Sequence, residues 1–474
     1  MYFWTIILYL LALIVVGAWR SRKVKTKADF MVAGRNVPSF VLLGTLLATW
    51  IGTGSIFGNA EKTYEVGVAA LILPLAGVGG IAVLSAVAGR ARRFEGFTVP
   101  DILEARYNKY ARVFGTITVV TAYITIVSYQ FRAGGAVLHL IYPALDPQVA
   151  VIIAAIFVIA YTALAGMSSV VYTDVVNGVL MTLGLIICLP VLMIKTHGFS
   201  GMRELVPADH FQFFGRLSGI EIIGLLLPAF LLVLGDANMY QRFFSARDEG
   251  TARRAVIWLV LGVAVVETVI ILNAFFATGL HPHLKNPGHV ILNAAFFDLP
   301  VFFGAIMLAT IVAIVVSTAD SYLLVPSTSV VNDIYMRFIK PDASDREIVL
   351  LSRVVVIVLG VLAYYLSTLD ERFLAVALYA YTIYGAGITP ALLAAFFWKR
   401  VSTPGALSSI VSGTVMTVVW KNYGLSITVP KALGFPQGTV VDAVIPAIIV
   451  SVVLLVVVSL ATKPTPEKYE RFAK

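Results

Sequence analysis

The chain has 474 residues, 59% of them apolar and only 13% charged, whereas an ordinary soluble protein is about 25% charged. That composition excludes a soluble globular protein and points to a polytopic membrane protein. A single cysteine, Cys188, excludes a disulfide scaffold, and the net charge of +9 sits in loops, where it reports orientation in a membrane and not nucleic-acid binding.

A spanning helix needs about 20 mostly apolar residues. Thirteen such runs follow one another near 2–19, 40–60, 67–89, 113–140, 148–165, 170–194, 219–240, 256–279, 300–326, 349–367, 373–397, 404–420 and 438–461. The first lacks a basic leader and a small-residue cleavage site, so it reads as a retained helix. With the N-terminus outside, inward loops and the C-terminal tail hold 26 of the 35 basic residues, outward loops hold 8, and Arg132 lies within a span. This asymmetry predicts a plasma-membrane protein, N-terminus outside and C-terminus cytoplasmic. The longest connections, 195–218 and 280–299, are too short for a second core. The histidines at 281, 283 and 289 read as solvated loop residues, not as a metal site. No Gly-x-x-x-x-Gly-Lys run is present, so an ATP-driven pump is not expected, and no enzyme active site or protein partner is implied. Membrane lipid is the solvent.

Charges at bilayer depth are costly and usually functional. Arg132 in the fourth span, Asp174 in the sixth, Asp236 at the end of the seventh and Asp320 in the ninth stand out. Small and polar residues interrupt the second span at Ala48-Thr49-Trp50-Ile51-Gly52-Thr53-Gly54-Ser55 and the seventh at Gly235-Asp236-Ala237-Asn238. Unwinding there frees carbonyls for a cation and helix N-termini for an anion. The interruptions are five spans apart, so the two five-span sets enter from opposite sides and form an inverted repeat. One transmembrane domain over 1–474 is expected: an extra span and loop at 1–39, a first repeat at 40–194, a second at 219–397, and two further spans with a short tail at 404–474. In the ninth span, Ser317, Asp320 and Ser321 share a face with Thr318 at its edge. This makes an oxygen ribbon suited to a hard cation, unless the hydroxyls only back-bond to their own helix.

These residues resemble the sodium:solute symporter family over nearly the full length. The likeness rests on Asp29-Phe30 with Gly34-Arg35, on Ala48-Thr49-Trp50-Ile51-Gly52, and on Tyr161-Thr162-Ala163-Leu164-Ala165-Gly166-Met167. It continues through Tyr172-Thr173-Asp174-Val175-Val176-Asn177-Gly178, Tyr240-Gln241-Arg242-Phe243-Phe244-Ser245-Ala246, the Ser317–Ser321 run and Asn332-Asp333-Ile334-Tyr335. The resemblance implies an all-α fold of about thirteen spans with a five-plus-five inverted-repeat core. It also implies a main Na+ site built from the carbonyls of Ala48, Ile51 and Ile314 and the hydroxyls of Ser317 and Thr318. Some relatives hold a second sodium beside an aspartate that Asp174 matches, with Asp320 and Ser321 facing it. Asp320 replaces a hydroxyl there, so a second sodium and a proton both stay open.

The function expected is sodium-coupled symport of a small organic solute by alternating access. A proton-coupled transporter, or an uncoupled channel or sensor of the same fold, is the alternative. Trp50 suits an amine, and Arg132 suits a carboxylate through its planar fork. Asp236 either opposes an ammonium group or pairs with Arg132. Together they point to an amino acid, a betaine or an organic acid, with Tyr129, Gln130, Asn238, Tyr381 and Tyr384 as further candidates for contact.

Overall fold

The computed structural model describes residues 2–21, 24–369, 372–423, 441–465 and 468–470. Among them seventeen helices build the membrane part: α1 (Tyr2–Ser21), α2 (Ser39–Trp50), α3 (Asn59–Val66), α4 (Pro74–Phe94), α5 (Val99–Arg106), α6 (Lys109–Ile141), α7 (Pro147–Ala165), α8 (Met167–Lys195), α9 (Gly219–Gly235), α10 (Ala237–Ser245), α11 (Glu249–Leu280), α12 (Val301–Ser329), α13 (Asp345–Ser367), α14 (Phe373–Gly387), α15 (Thr389–Phe397), α16 (Thr403–Asn422) and α17 (Val444–Ala461). There is no sheet among the described residues.

Local chemistry sets the helix starts. The Thr98 and Ser218 hydroxyls accept from the backbone N–H of Asp101 and Glu221, whose carboxylates bond back to the capping residue and open α5 and α9. Asn108 caps α6, and Asp146 caps α7 just before Pro147. The expected third span begins later than the sequence suggests. Gly67–Ile72 is a 3-10 stretch, and Pro74 opens the helix proper, so the span is 74–94 and not 67–89.

Eleven helices among the described residues are long and apolar enough to cross a membrane, or twelve if Ser39–Trp50 and Gly54–Ile72, bent by 48°, form one span. The expected twelfth span coincides with α16, whose Ser, Thr and Gly content leaves it outside that count. The expected last span coincides with α17, its first residues 438–440 lying outside the described residues.

The middle of the bundle is α12, in which every residue from Met307 to Ser329 is buried. It packs against α6 and α8 and continues as a π-helical stretch, Val330–Ile339. Around that stretch polar groups form a knot. Arg112 pairs with Asp101 and, at 2.7 Å, with Glu104; Thr98 donates to Asp333 at 2.7 Å, and Asn332 donates to Asp101 at 3.1 Å. At the same end, Val37 and Ala246 form an isolated parallel bridge. The Val37 N–H donates to Ser245 at 3.0 Å and the Arg247 N–H donates to the Val37 carbonyl at 3.1 Å. The segment entering α2 is thereby joined to the end of α10.

Candidate functional site

The α2 helix stops at Trp50, where Ile51 turns to φ −75, ψ 97, and helical geometry resumes from Thr53. The Ala48 and Ile51 carbonyls at this end turn toward α12. Ser317 Oγ lies 3.0 Å from the Ala48 carbonyl and 3.2 Å from that of Ile314, and Thr318 Oγ1 lies 3.3 Å from that of Ile51. Two buried α12 hydroxyls thus meet three carbonyls, five oxygens of the kind hard cations take as ligands. Gly52 allows the approach: a Cβ there would meet Thr318 Cγ2 at 2.8 Å and Oγ1 at 2.9 Å. The family resemblance implies all five groups; the structure places Ser317 beside Ala48 and Ile314, and Thr318 beside Ile51.

A second polar cluster lies one turn along α12. Asp174, Asp320 and Ser321 are buried together, but a fourth residue stands among them. Arg242 Nη2 donates to Asp174 Oδ2 at 3.0 Å and to Ser321 Oγ at 2.7 Å, and its Nε donates to Thr45 Oγ1 at 2.9 Å. The Thr45 hydroxyl in turn donates to Asp174 at 2.6 Å. Asp174 Oδ1 and Asp320 Oδ2 carry no hydrogen bond. The sequence reading placed Arg242 beyond the seventh span. In the structure it is fully buried within α10, and its guanidinium fills the space beside Asp174.

Asp236 is the hinge of the other broken span, between α9 and α10. Its carboxylate accepts from the Asn238 N–H at 2.8 Å, from Tyr322 at 3.1 Å and, by a short bond, from Tyr123. It therefore caps α10 and takes its hydrogen bonds from Asn238, Tyr322 and Tyr123, not from Arg132. Among the described residues no ion pair links Arg132 and Asp236. The carbonyls released at this hinge are also taken up. Tyr384 OH donates to Gly235 at 2.7 Å, and Thr389 Oγ1 donates to Leu231 at 2.7 Å. Tyr384 thus braces the break, while Asn238 is buried at the start of α10 with its amide Nδ2 unpartnered.

Beside the break in α2 lies a cavity of about 60 Å³, walled by Trp50, Ser55, Gly77, Glu267, Tyr322 and Tyr381 among others. One water needs roughly 10–15 Å³ of such space, so a small solute's group fits. Gly77 seats the indole of Trp50, since a Cβ there would lie 2.7 Å from its ring. Tyr129 OH meets Tyr381 OH at 3.3 Å behind the wall. Gln130 accepts a short bond from Thr53 at the break, while its amide Nε2 has no partner. Glu267, in mid-α11, was overlooked because one carboxylate in an apolar run does not disturb the hydropathy. Ser55 Oγ and Asn59 Nδ2 each donate to it at 2.7 Å.

Arg132 lies elsewhere. It lines a separate open cavity of about 320 Å³ with His139, Asn286, His289, Thr368 and Phe373, its guanidinium 5.5 Å from the Phe373 ring centre. His289 is half-buried between Phe57 and Phe373. Burial, with the charge of Arg132, pushes its imidazole down to about 4. His281 binds Asp298 at 2.6 Å. These two histidines are therefore not the freely solvated residues the sequence suggested.

A model of the sodium:solute symporter family matches residues 30–413. The chain is 28% identical over 501 residues to the sodium/proline symporter of Salmonella typhimurium, covering 99% of this chain and 95% of the relative. It is 24% identical over 483 residues to the osmoregulated proline transporter of Bacillus subtilis, covering 98% and 96%. Among solved structures it is similar to a substrate-bound, outward-open Na+-coupled sialic acid symporter, with a TM-score of 0.84 at 20% identity over 98% of each chain. A nucleobase-cation-symport-1 family transporter in a closed conformation gives a TM-score of 0.62 at 11% identity, over 95% of this chain and 99% of that one.

Proposed function

Because this chain belongs to the sodium:solute symporter family, we propose a specific assignment of its ion and its solute. The chain is a multi-pass membrane transporter that couples sodium to the uptake of a small organic solute. The main Na+ site is the set of five oxygens from Ala48, Ile51, Ile314, Ser317 and Thr318. The observation that carries this is the convergence of two hydroxyls of α12 on carbonyls at the break in α2, at 3.0 to 3.3 Å. Sodium there would hold the broken helix against α12, so that ion binding and solute binding share one piece of backbone.

The solute is a small zwitterion, an amino or imino acid. Relatives across the whole chain are named proline transporters, and the cavity beside the break has aromatic walls and little room. The unpartnered amide of Gln130 and the N-terminal N–H groups of the resumed helix at Thr53 and Gly54 suit a carboxylate. Arg132 lines the separate open cavity as a vestibule residue and does not hold the solute at the final site. The excess of basic residues on one side supports an N-terminus outside and a C-terminus in the cytoplasm.

At the second cation position the reading is that Arg242 acts as a tethered cation in place of a second sodium. Arg242 pairs with Asp174 and donates to Ser321, whose hydroxyl donates to Asp320, so one guanidinium stands beside two buried carboxylates. That charge count is also what favours the second reading, in which a proton accompanies the sodium. Uptake of labelled L-proline and other amino acids into vesicles, with imposed sodium and pH gradients, tests the whole assignment. Sodium-driven uptake with a Hill coefficient near 1 and no response to pH at clamped sodium is expected. A Hill coefficient near 2 sinks the tethered-cation assignment, a pH-driven component establishes the second reading, and no sodium dependence for any solute sinks the main site.

A further inference from the structure

Glu267 lies near the middle of α11, 5% exposed, with its carboxylate on the wall of the central cavity. Its two partners, Ser55 and Asn59, are neutral donors from the resumed half of the broken span. No Lys, Arg or His lines that cavity among the described residues. A carboxylate at this depth with no cation beside it is costly. Each of its oxygens accepts one bond, and a carboxylate offers about four acceptor positions, so two remain for a ligand. Three aromatic residues, Trp50, Tyr322 and Tyr381, border the same space, an arrangement that favours a positive charge through the faces of the rings.

Deepening the zwitterion reading above, and resting on it, we infer that Glu267 is the residue that selects for a protonated amine on the solute. The missing counter-ion of Glu267 is the solute's own ammonium group, held between the carboxylate and the aromatic walls. Primary and secondary ammonium groups carry N–H donors for the two open acceptor positions of Glu267. Carboxylic acids of the same shape without nitrogen bring a second negative charge to the carboxylate and are rejected. The bonds from Ser55 and Asn59 add a consequence. Glu267 is held by the half-helix beyond the break, so an ammonium group that engages it also engages the segment that follows directly on the carbonyls of Ala48 and Ile51.

Matched probes test this directly. L-Proline and cyclopentanecarboxylate, and L-alanine and propionate, differ in the amine alone. Sodium-dependent binding of each is measured by competition against a labelled amino acid and by thermal shift of the purified protein. In the wild-type protein the amine-bearing member of each pair is expected to bind at least about 100-fold more tightly. Glu267→Gln is expected to bring that ratio within about threefold. Glu267→Asp keeps the charge and is expected to retain the preference at weaker affinity. A wild-type ratio near 1, which needs no variant, overturns the inference, as does an unchanged ratio in a folded Glu267→Gln protein. If no member of either pair binds in a sodium-dependent way, the zwitterion reading itself has failed. If the amine-free acids bind in a sodium-dependent way as well as the amines, that reading's ion coupling stands and the role of Glu267 falls.

Discussion

Replacing Gly52 by Ala is expected to damage sodium binding without removing any ligand atom. The added methyl carbon would stand 2.8 Å from Thr318 Cγ2 and 2.9 Å from Oγ1, where ordinary contacts are 3.4–4 Å. The Thr318 side chain must therefore retreat by about half an ångström, which withdraws one of five oxygens from the ion. Losing that oxygen outright, in Thr318→Ala, is expected to raise the half-saturating sodium concentration at least about tenfold, or roughly 1.4 kcal/mol. Gly52→Ala is expected to cost a similar amount. The double variant separates steric from general damage. With residue 318 cut back to Ala, the two closest atoms are gone and only its Cβ, at 3.3 Å, remains near the new methyl. The double variant should then lose about tenfold, not a hundredfold, a coupling of roughly 1 kcal/mol or more between the two sites. Sodium titration of labelled-solute binding in detergent gives all four values. Additive losses, or a Gly52→Ala protein with normal sodium affinity, would refute the packing argument.

Three other perturbations follow from the buried and half-buried charges. Arg242→Gln or Asp174→Asn alone breaks a fully buried pair and is expected to destabilise the protein by about 3–5 kcal/mol; the double variant should recover part of that loss, read as melting temperature in detergent. Arg132→Gln is expected to leave uptake of a zwitterionic solute within about twofold at low and at high ionic strength, because a solute without net charge feels little of a distant vestibule charge. Arg132→Lys should retain most of the rate, which a two-pronged carboxylate site would not allow. His289 stays neutral in the fold down to about pH 4, whereas in the unfolded chain it takes up its proton near pH 6.5. Its contribution to stability is therefore complete above about pH 6.5 and is lost as pH falls toward 4. His289→Phe should flatten the melting-temperature profile over that interval.

The helices were legible because their signals are local, and the five proposed sodium-site oxygens because the family resemblance implies them. Apolar runs mark helices, Gly52 and Gly54 mark a break, and Ser317 with Thr318 marks a polar face in an otherwise apolar span. What was not legible depends on contacts between distant segments. Arg242 follows an apolar run and reads as a loop charge, but Asp174, 68 residues earlier, and Ser321, 79 residues later, draw it inside. Asp236 and Arg132 read as opposite charges at similar depth. The fold instead turns Asp236 toward Tyr123 and Tyr322, and Arg132 toward Phe373. Glu267 was readable in principle, since it lies inside the run 256–279, yet nothing in its immediate neighbours hints at Ser55 and Asn59, more than 200 residues away.

The bridge between Val37 and Ala246 gives the two broken spans a link that side-chain variation cannot reach. Both of its hydrogen bonds run from main chain to main chain, and any residue other than proline supplies the same donor and acceptor. Side-chain changes that rewrite the walls of the cavity or a whole helix face leave the donors and acceptors of this tie in place. Its weak point is narrow. Proline at 37 or at 247 deletes a donor, and little else in the genetic code can. A transporter built this way keeps the mechanical connection between its halves insulated from the residues that decide what it carries.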